Sequence, residues 1–108
     1  MFKFIKKLKL LLRELGSYEQ KLLDIQMMLG RIELRQNQER MSPVFKENEF
    51  KVFSQWGEDG LIQFLLRYVN IDNSVFVEFG VENYLESNTR FLLINNNWSG
   101  LVLSLIHI

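Results

Sequence analysis

The sequence predicts an α/β protein, in which the first βαβ unit of a parallel sheet follows a long amphipathic helix of coiled-coil character. Three observations carry this. Apolar side chains recur at alternating steps of four and three along residues 3–40. The stretch 74–102, SVFVEFGVENYLESNTRFLLINNNWSGLV, reads as strand, polar turn, helix, turn and strand. Between them, Pro43 and a polar run divide the chain into two segments of opposite charge.

The length of 108 residues allows one small domain at most, and a hydrophobic fraction of 47% excludes disorder throughout. The absence of cysteine excludes a disulfide framework and thiolate chemistry. The single histidine, His107, stands beside the last residue, so no histidine-based metal cluster is expected and no metal site is assigned. Residues 1–41 hold nine Lys/Arg against five Asp/Glu, a net +4, whereas residues 42–108 hold four against eight, a net −4. Such a split implies two functional segments. Lys6, Lys7, Lys9 and Arg13 interrupt the apolar start, so no signal peptide is expected. No apolar run approaches the roughly 18 residues of a membrane-spanning helix. The expected location is cytoplasmic.

In chain order, residues 3–40 predict one long helix. Its seam runs through Phe4, Leu8, Leu11, Leu15, Tyr18, Leu22, Ile25, Leu29 and Ile32, and fades at Gln36. Gly16 and Gly30 each weaken it by about 1 kcal/mol relative to alanine. A stripe of this kind suits a coiled coil or docking arm, with self-association through residues 4–32. Alternatively, the basic start, Lys3, Lys6, Lys7, Lys9 and Arg13, can lie on an anionic membrane surface, which would make the protein membrane-peripheral. A solvated, unpartnered helix is the third reading. No nucleic-acid partner is expected, because the chain is neutral and carries no recognition motif.

Met41, Ser42 and Pro43 end the helix, and residues 42–52 read as a linker. Residues 61–69 have a helical pattern, with Leu61, Ile62, Leu65, Leu66 and Val69 on one face. Glu58 and Asp59 stand at its start, where negative charge complements the helix dipole. Adjacent helical residues point about 100° apart, so these two acids are not expected to work as an acid/base or metal-binding pair. Trp56 and Trp98 read as core residues. Val75, Phe76, Val77, Glu78 and Phe79 form a short β-branched and aromatic run, expected to be a buried strand. Ser87, Asn88 and Thr89 make a capping cluster for a helix over residues 90–95, and Leu101 and Val102 begin a second strand. The crossover should be right-handed.

The chemistry-bearing constellation lies after the first strand. Gly80 lets backbone approach a ligand closely, and the helix beginning near Ser87 and Asn88 offers unpaired N–H groups. Glu78 can accept a hydrogen bond from a cofactor amine or hydroxyl. The full glycine-rich dinucleotide fingerprint is absent: Glu82 and Tyr84 stand where a glycine-rich turn would have glycine.

Four pieces in order, SQWGEDGLI, VFVEFGV, ESNTRFLL and NWSGLV, resemble the amino-terminal part of FkbM-like S-adenosylmethionine-dependent methyltransferases. The similarity covers residues 53–102, and the combination is what is specific. It implies an incomplete Rossmann-like domain over 53–102, with S-adenosyl-L-methionine as cofactor. By that resemblance Glu78, Phe79, Gly80 and Val81 form the first cofactor motif. Ser87, Asn88 and Thr89 open the helix beneath it, and Gln55, Glu58 and Asp59 lie near the same pocket. It further implies methyl transfer to an oxygen or nitrogen acceptor, on a glycan or a small natural product. No catalytic base is named. The family's acidic residue at the end of the second strand has no counterpart, since Val102 is followed by LSLIHI.

That tail is similar to the in-frame translation of a transposase mosaic-end sequencing adapter. The expectation is that natural coding sequence stops near Val102, that residues 103–108 are artefact, and that this chain alone is inactive; the alternative is an ordinary hydrophobic strand end, LVLSLIHI, with strand-like alternation. Two readings compete with the methyltransferase: another Rossmann-like nucleotide binder, and a non-enzymatic oligomerisation or docking module built on the heptad helix.

Overall fold

A computed structural model describes residues 1–104; residues 105–108, including His107 and most of the tail, lie outside the described residues. The order is a long helix α1 (Phe2–Arg40), a short 3-10 turn (Phe45–Asn48), α2 (Glu58–Leu66), β1 (Val75–Val81), α3 (Arg90–Asn95) and β2 (Ser99–Ser104). The two strands pair in parallel, with Val75 opposite Ser99 and Glu78 opposite Val102. The chain is thus a mixed α/β protein with a two-stranded parallel sheet. None of the described helices is long and apolar enough to cross a membrane.

Helix α1 would measure about 58 Å at 1.5 Å per residue, close to the longest dimension of the molecule, 62 Å. It ends as predicted. Met41 adopts the left-handed conformation (φ 51°) and its N–H donates to the Asn37 carbonyl, before Pro43 prevents continuation.

The helix is not a detached arm. Its second half lies on the α/β unit through Leu23, Met27, Gly30 and Leu34, which meet Phe50, Phe53, Phe91 and Ile94. Phe50 and Phe91 stack edge to face at 5.3 Å and 78°. Gly30 makes the approach possible: a Cβ there would stand 2.6 Å from Val52 Cγ2 and 2.8 Å from Phe91 Cε2. This contact stripe is not the heptad seam. Every seam residue from Phe4 to Ile32 remains exposed. The helix therefore carries two apolar stripes, one used within the chain and one open.

Residues 42–52 are not a free linker either. Asn48 is fully buried; its Nδ2 donates to the Ser42 and Val44 carbonyls, and Asn37 Nδ2 donates to the Asn48 carbonyl. Gly60 N–H donates to the Phe50 carbonyl, tying the segment to α2. The polar composition of this stretch read as a linker, but Asn48 bonds the backbone around it and Phe50 enters the core, while Phe45 stays exposed.

Helix α2 turns a different face inward from the one its leucines suggested. Asp59, Gly60, Gln63 and Phe64 are buried, while Leu65 and Val69 are exposed. The orientation is set by polar anchors: the Asp59 carboxylate on the 52–54 backbone and Gln63 Nε2 on Asn96 Oδ1 at 2.7 Å. Strand β1 is buried on one face only. Phe76 and Val81 point inward, whereas Val75, Val77 and Phe79 are exposed, as are Leu101 and Leu103 of β2. Trp56 also departs from expectation. It is 75% exposed, beside a Gly57 in the left-handed conformation.

Candidate functional site

The site is built where β1 ends. The strand continues two residues past Phe79 through a bulge at Gly80, whose φ is 88°, a conformation open chiefly to glycine. Val81 then rejoins the ladder opposite Ser104. Beyond it, residues 82–89 form a wide polar turn before α3. That turn has no second glycine, and Tyr84 takes the left-handed region instead (φ 59°), a rare conformation for a bulky residue.

Glu78 fixes the far side of the turn. Its Oε2 accepts from Asn88 N–H at 2.9 Å, and its Oε1 accepts from Thr89 N–H at 3.0 Å and from the Thr89 hydroxyl. The α3 start thus takes an anionic cap from β1 in addition to its own Ser-Asn-Thr cluster, of which Ser87 Oγ accepts from Arg90 N–H at 3.2 Å. A carboxylate offers about four lone-pair sites. Three are taken here, two on Oε1 and one on Oε2.

Between this turn and the 55–58 loop lies an open cleft of about 660 Å³. Glu78, Phe79, Gly80 and Val81 form one wall, Ser87 and Asn88 a second, and Gln55 and Glu58 a third. Residues some 20 to 30 positions apart in sequence are therefore brought together at one cleft. Asp59 is the exception. It is 1% exposed, and its Oδ2 accepts from the backbone N–H groups of Val52, Phe53 and Ser54 at 2.7, 2.7 and 3.1 Å. It shapes the loop that carries Gln55 and does not reach the cleft. Glu58, its neighbour, points the other way and accepts from Trp56 N–H at 2.8 Å.

Several cleft residues were not singled out from sequence as ligands: Glu82, Asn83, Leu85 and Glu86 complete the lining. The lining contains four glutamates and no lysine or arginine. Tyr84 sits behind it, its hydroxyl 2.9 Å from Thr89 Oγ1. Burial pushes the Tyr84 phenol above its ordinary value, the Thr89 hydrogen bond opposes this, and the Glu78 carboxylate adds to it. Among the described residues no group of three or more His, Cys, Asp or Glu is arranged to hold a metal ion.

The chain matches no family model, no curated protein and no solved structure. The functional reading therefore rests on the cleft and on the motif resemblance.

Proposed function

We propose that this chain carries the cofactor-binding start of a Rossmann-like, S-adenosylmethionine-dependent methyltransferase. The observation that carries the reading is the charge of the cleft. Four glutamates and no cation line a crevice at the carboxyl end of a parallel strand, where α/β proteins bind ligands. S-adenosylmethionine has a sulfonium and an ammonium, both favoured there; the pyrophosphate of a dinucleotide would face four carboxylates. The bulge at Gly80 leaves room for a ligand against the backbone, and the Glu78 carboxylate suits an ammonium.

When bound, the cofactor supplies an electrophilic methyl group to an acceptor oxygen or nitrogen, and its sulfur leaves as a neutral thioether. The residues of this chain contribute binding and alignment. Glu78 and Glu58 supply negative charge, Gly80 and Val81 the backbone wall, and Gln55 and Asn88 side-chain amides at the rim. The acceptor class, a glycan or a small natural product, follows from the resemblance alone.

Titration calorimetry with S-adenosylhomocysteine, S-adenosylmethionine and NAD tests the reading. Binding of the first two but not of NAD is expected. Binding of NAD alone would overturn it in favour of another nucleotide binder.

A further inference from the structure

The open seam of α1 calls for a partner, and we propose that it is a second copy of this chain, paired antiparallel. The inference does not depend on what the cleft binds. The seam holds apolar residues at every core heptad position from Phe4 to Ile32, four heptads in all, and all are exposed. The stripe that meets the α/β unit, Leu23, Met27, Gly30 and Leu34, falls on the opposite side of the helix. A partner helix can therefore occupy the seam from Phe4 to Ile25 while the α/β unit stays in place; at Leu29 the seam borders a cavity shared with Phe50, Lys51 and Val52. The first half of α1 touches little else, and half of a long helix without tertiary support is marginal in water.

Charge selects the copy and the direction. With Leu8, Leu15, Leu22 and Leu29 as a positions, Lys7, Glu14 and Lys21 are g positions and Glu19 is an e position. A parallel, in-register pair sets Glu14 against Glu19 of the second copy, a like-charge contact. An antiparallel pair can place Leu8 against Ile25, Leu11 against Leu22 and Leu15 against Tyr18 of the second copy. Glu14 then flanks Lys21 of the second copy, twice by symmetry. The same arrangement runs the basic helix start of each copy, Lys3 to Arg13, toward the half of the other that bears its acidic α/β unit. A parallel pair would bring the two basic starts together.

The test uses the full chain, which has no native cysteine. Sedimentation equilibrium should show a dimer. Leu8→Cys and Ile25→Cys proteins, mixed and treated with a short bis-maleimide, should cross-link to each other. Leu8→Cys alone should not, because its two copies would stand about 25 Å apart along the axis. Glu14→Lys, an exposed change that spares the core, should weaken the dimer roughly tenfold, and Glu14→Lys with Lys21→Glu should restore it. A monomer at high micromolar concentration would overturn the proposal, as would cross-linking of Leu8→Cys to itself or tighter association of Glu14→Lys. A monomer that binds phosphatidylserine vesicles would assign the seam to a membrane surface instead.

Discussion

Glu78, on β1, and Thr89, at the start of α3, are joined twice: one carboxylate oxygen accepts both the Thr89 amide and the Thr89 hydroxyl. This pins the two ends of the turn that walls the cleft. Glu78→Ala should therefore act on shape and on charge together. Losing charge-assisted bonds at a half-buried site should cost about 1–2 kcal/mol in urea unfolding. Affinity for S-adenosylmethionine should fall at least about tenfold, by loss of the favourable charge. Glu78→Gln keeps acceptor oxygen but not the charge, so its stability loss should be the smaller of the two. Unchanged affinity in both variants would remove Glu78 from the site.

Asp59 should prove a structural residue of greater weight. Asp59→Ala strands three backbone N–H groups at Val52, Phe53 and Ser54, the last two of them buried. The expected loss is about 3 kcal/mol, and Asp59→Asn should lose less, since a neutral oxygen accepts roughly half as strongly. Cofactor affinity at saturating folded fraction should change little, because Asp59 does not touch the cleft. A large affinity loss with intact stability would place it there after all.

Glu58 and Asp59 show what was legible in the sequence. Both stood out as candidate ligands, and neighbouring positions behaved oppositely: Glu58 faces the cleft while Asp59 turns into the 52–54 backbone. Nothing local separates them; the direction is set by where α2 lands on the loop. Periodicity located α1, the capping cluster at 87–89 located α3, and β-branched and aromatic runs between turn residues located the strands. Periodicity failed for the inward face of α2, where Asp59 and Gln63 bond specific partners and override the leucines. It also failed for the core face of α1. That contact is made by Met27 and by Gly30, whose missing side chain is its contribution and carries no hydrophobic signal. The open outer face of β1, Val75, Val77 and Phe79, read as buried because apolar composition does not reveal whether a second layer covers it.

The two glycines of α1 should respond to alanine with opposite sign. At Gly16 nothing lies within 4 Å of an added Cβ, so Gly16→Ala should stabilise the protein, by about 1 kcal/mol through helix propensity alone. At Gly30 the added methyl would stand 2.6 Å from Val52 Cγ2 and 2.8 Å from the ring of the fully buried Phe91, so both neighbours must shift. Overpacking of about 1–3 kcal/mol should outweigh the propensity gain, and Gly30→Ala should unfold at lower urea. Stabilisation by both substitutions would mean that α1 does not rest on the Phe91 cluster.

Tyr84 offers a pH-dependent test of the turn. Its phenol is raised above the ordinary value of 10.0, chiefly by burial. A raised acid pKa in the folded chain means the folded state holds its proton more tightly than the unfolded state. The resulting stability is fully present below the unfolded value. It is lost as pH rises from there through the folded value, since the unfolded chain ionises first. Tyr84→Phe lacks this alkaline loss, but it also lacks the hydrogen bond to Thr89, worth about 1 kcal/mol. The wild type should therefore be the more stable at neutral pH, and its advantage should shrink as pH climbs past about 10. Urea midpoints of the two proteins, measured from neutral pH into that range, should converge. Parallel curves across the whole range would show that the Tyr84 environment in the folded turn does not differ from that of an open chain.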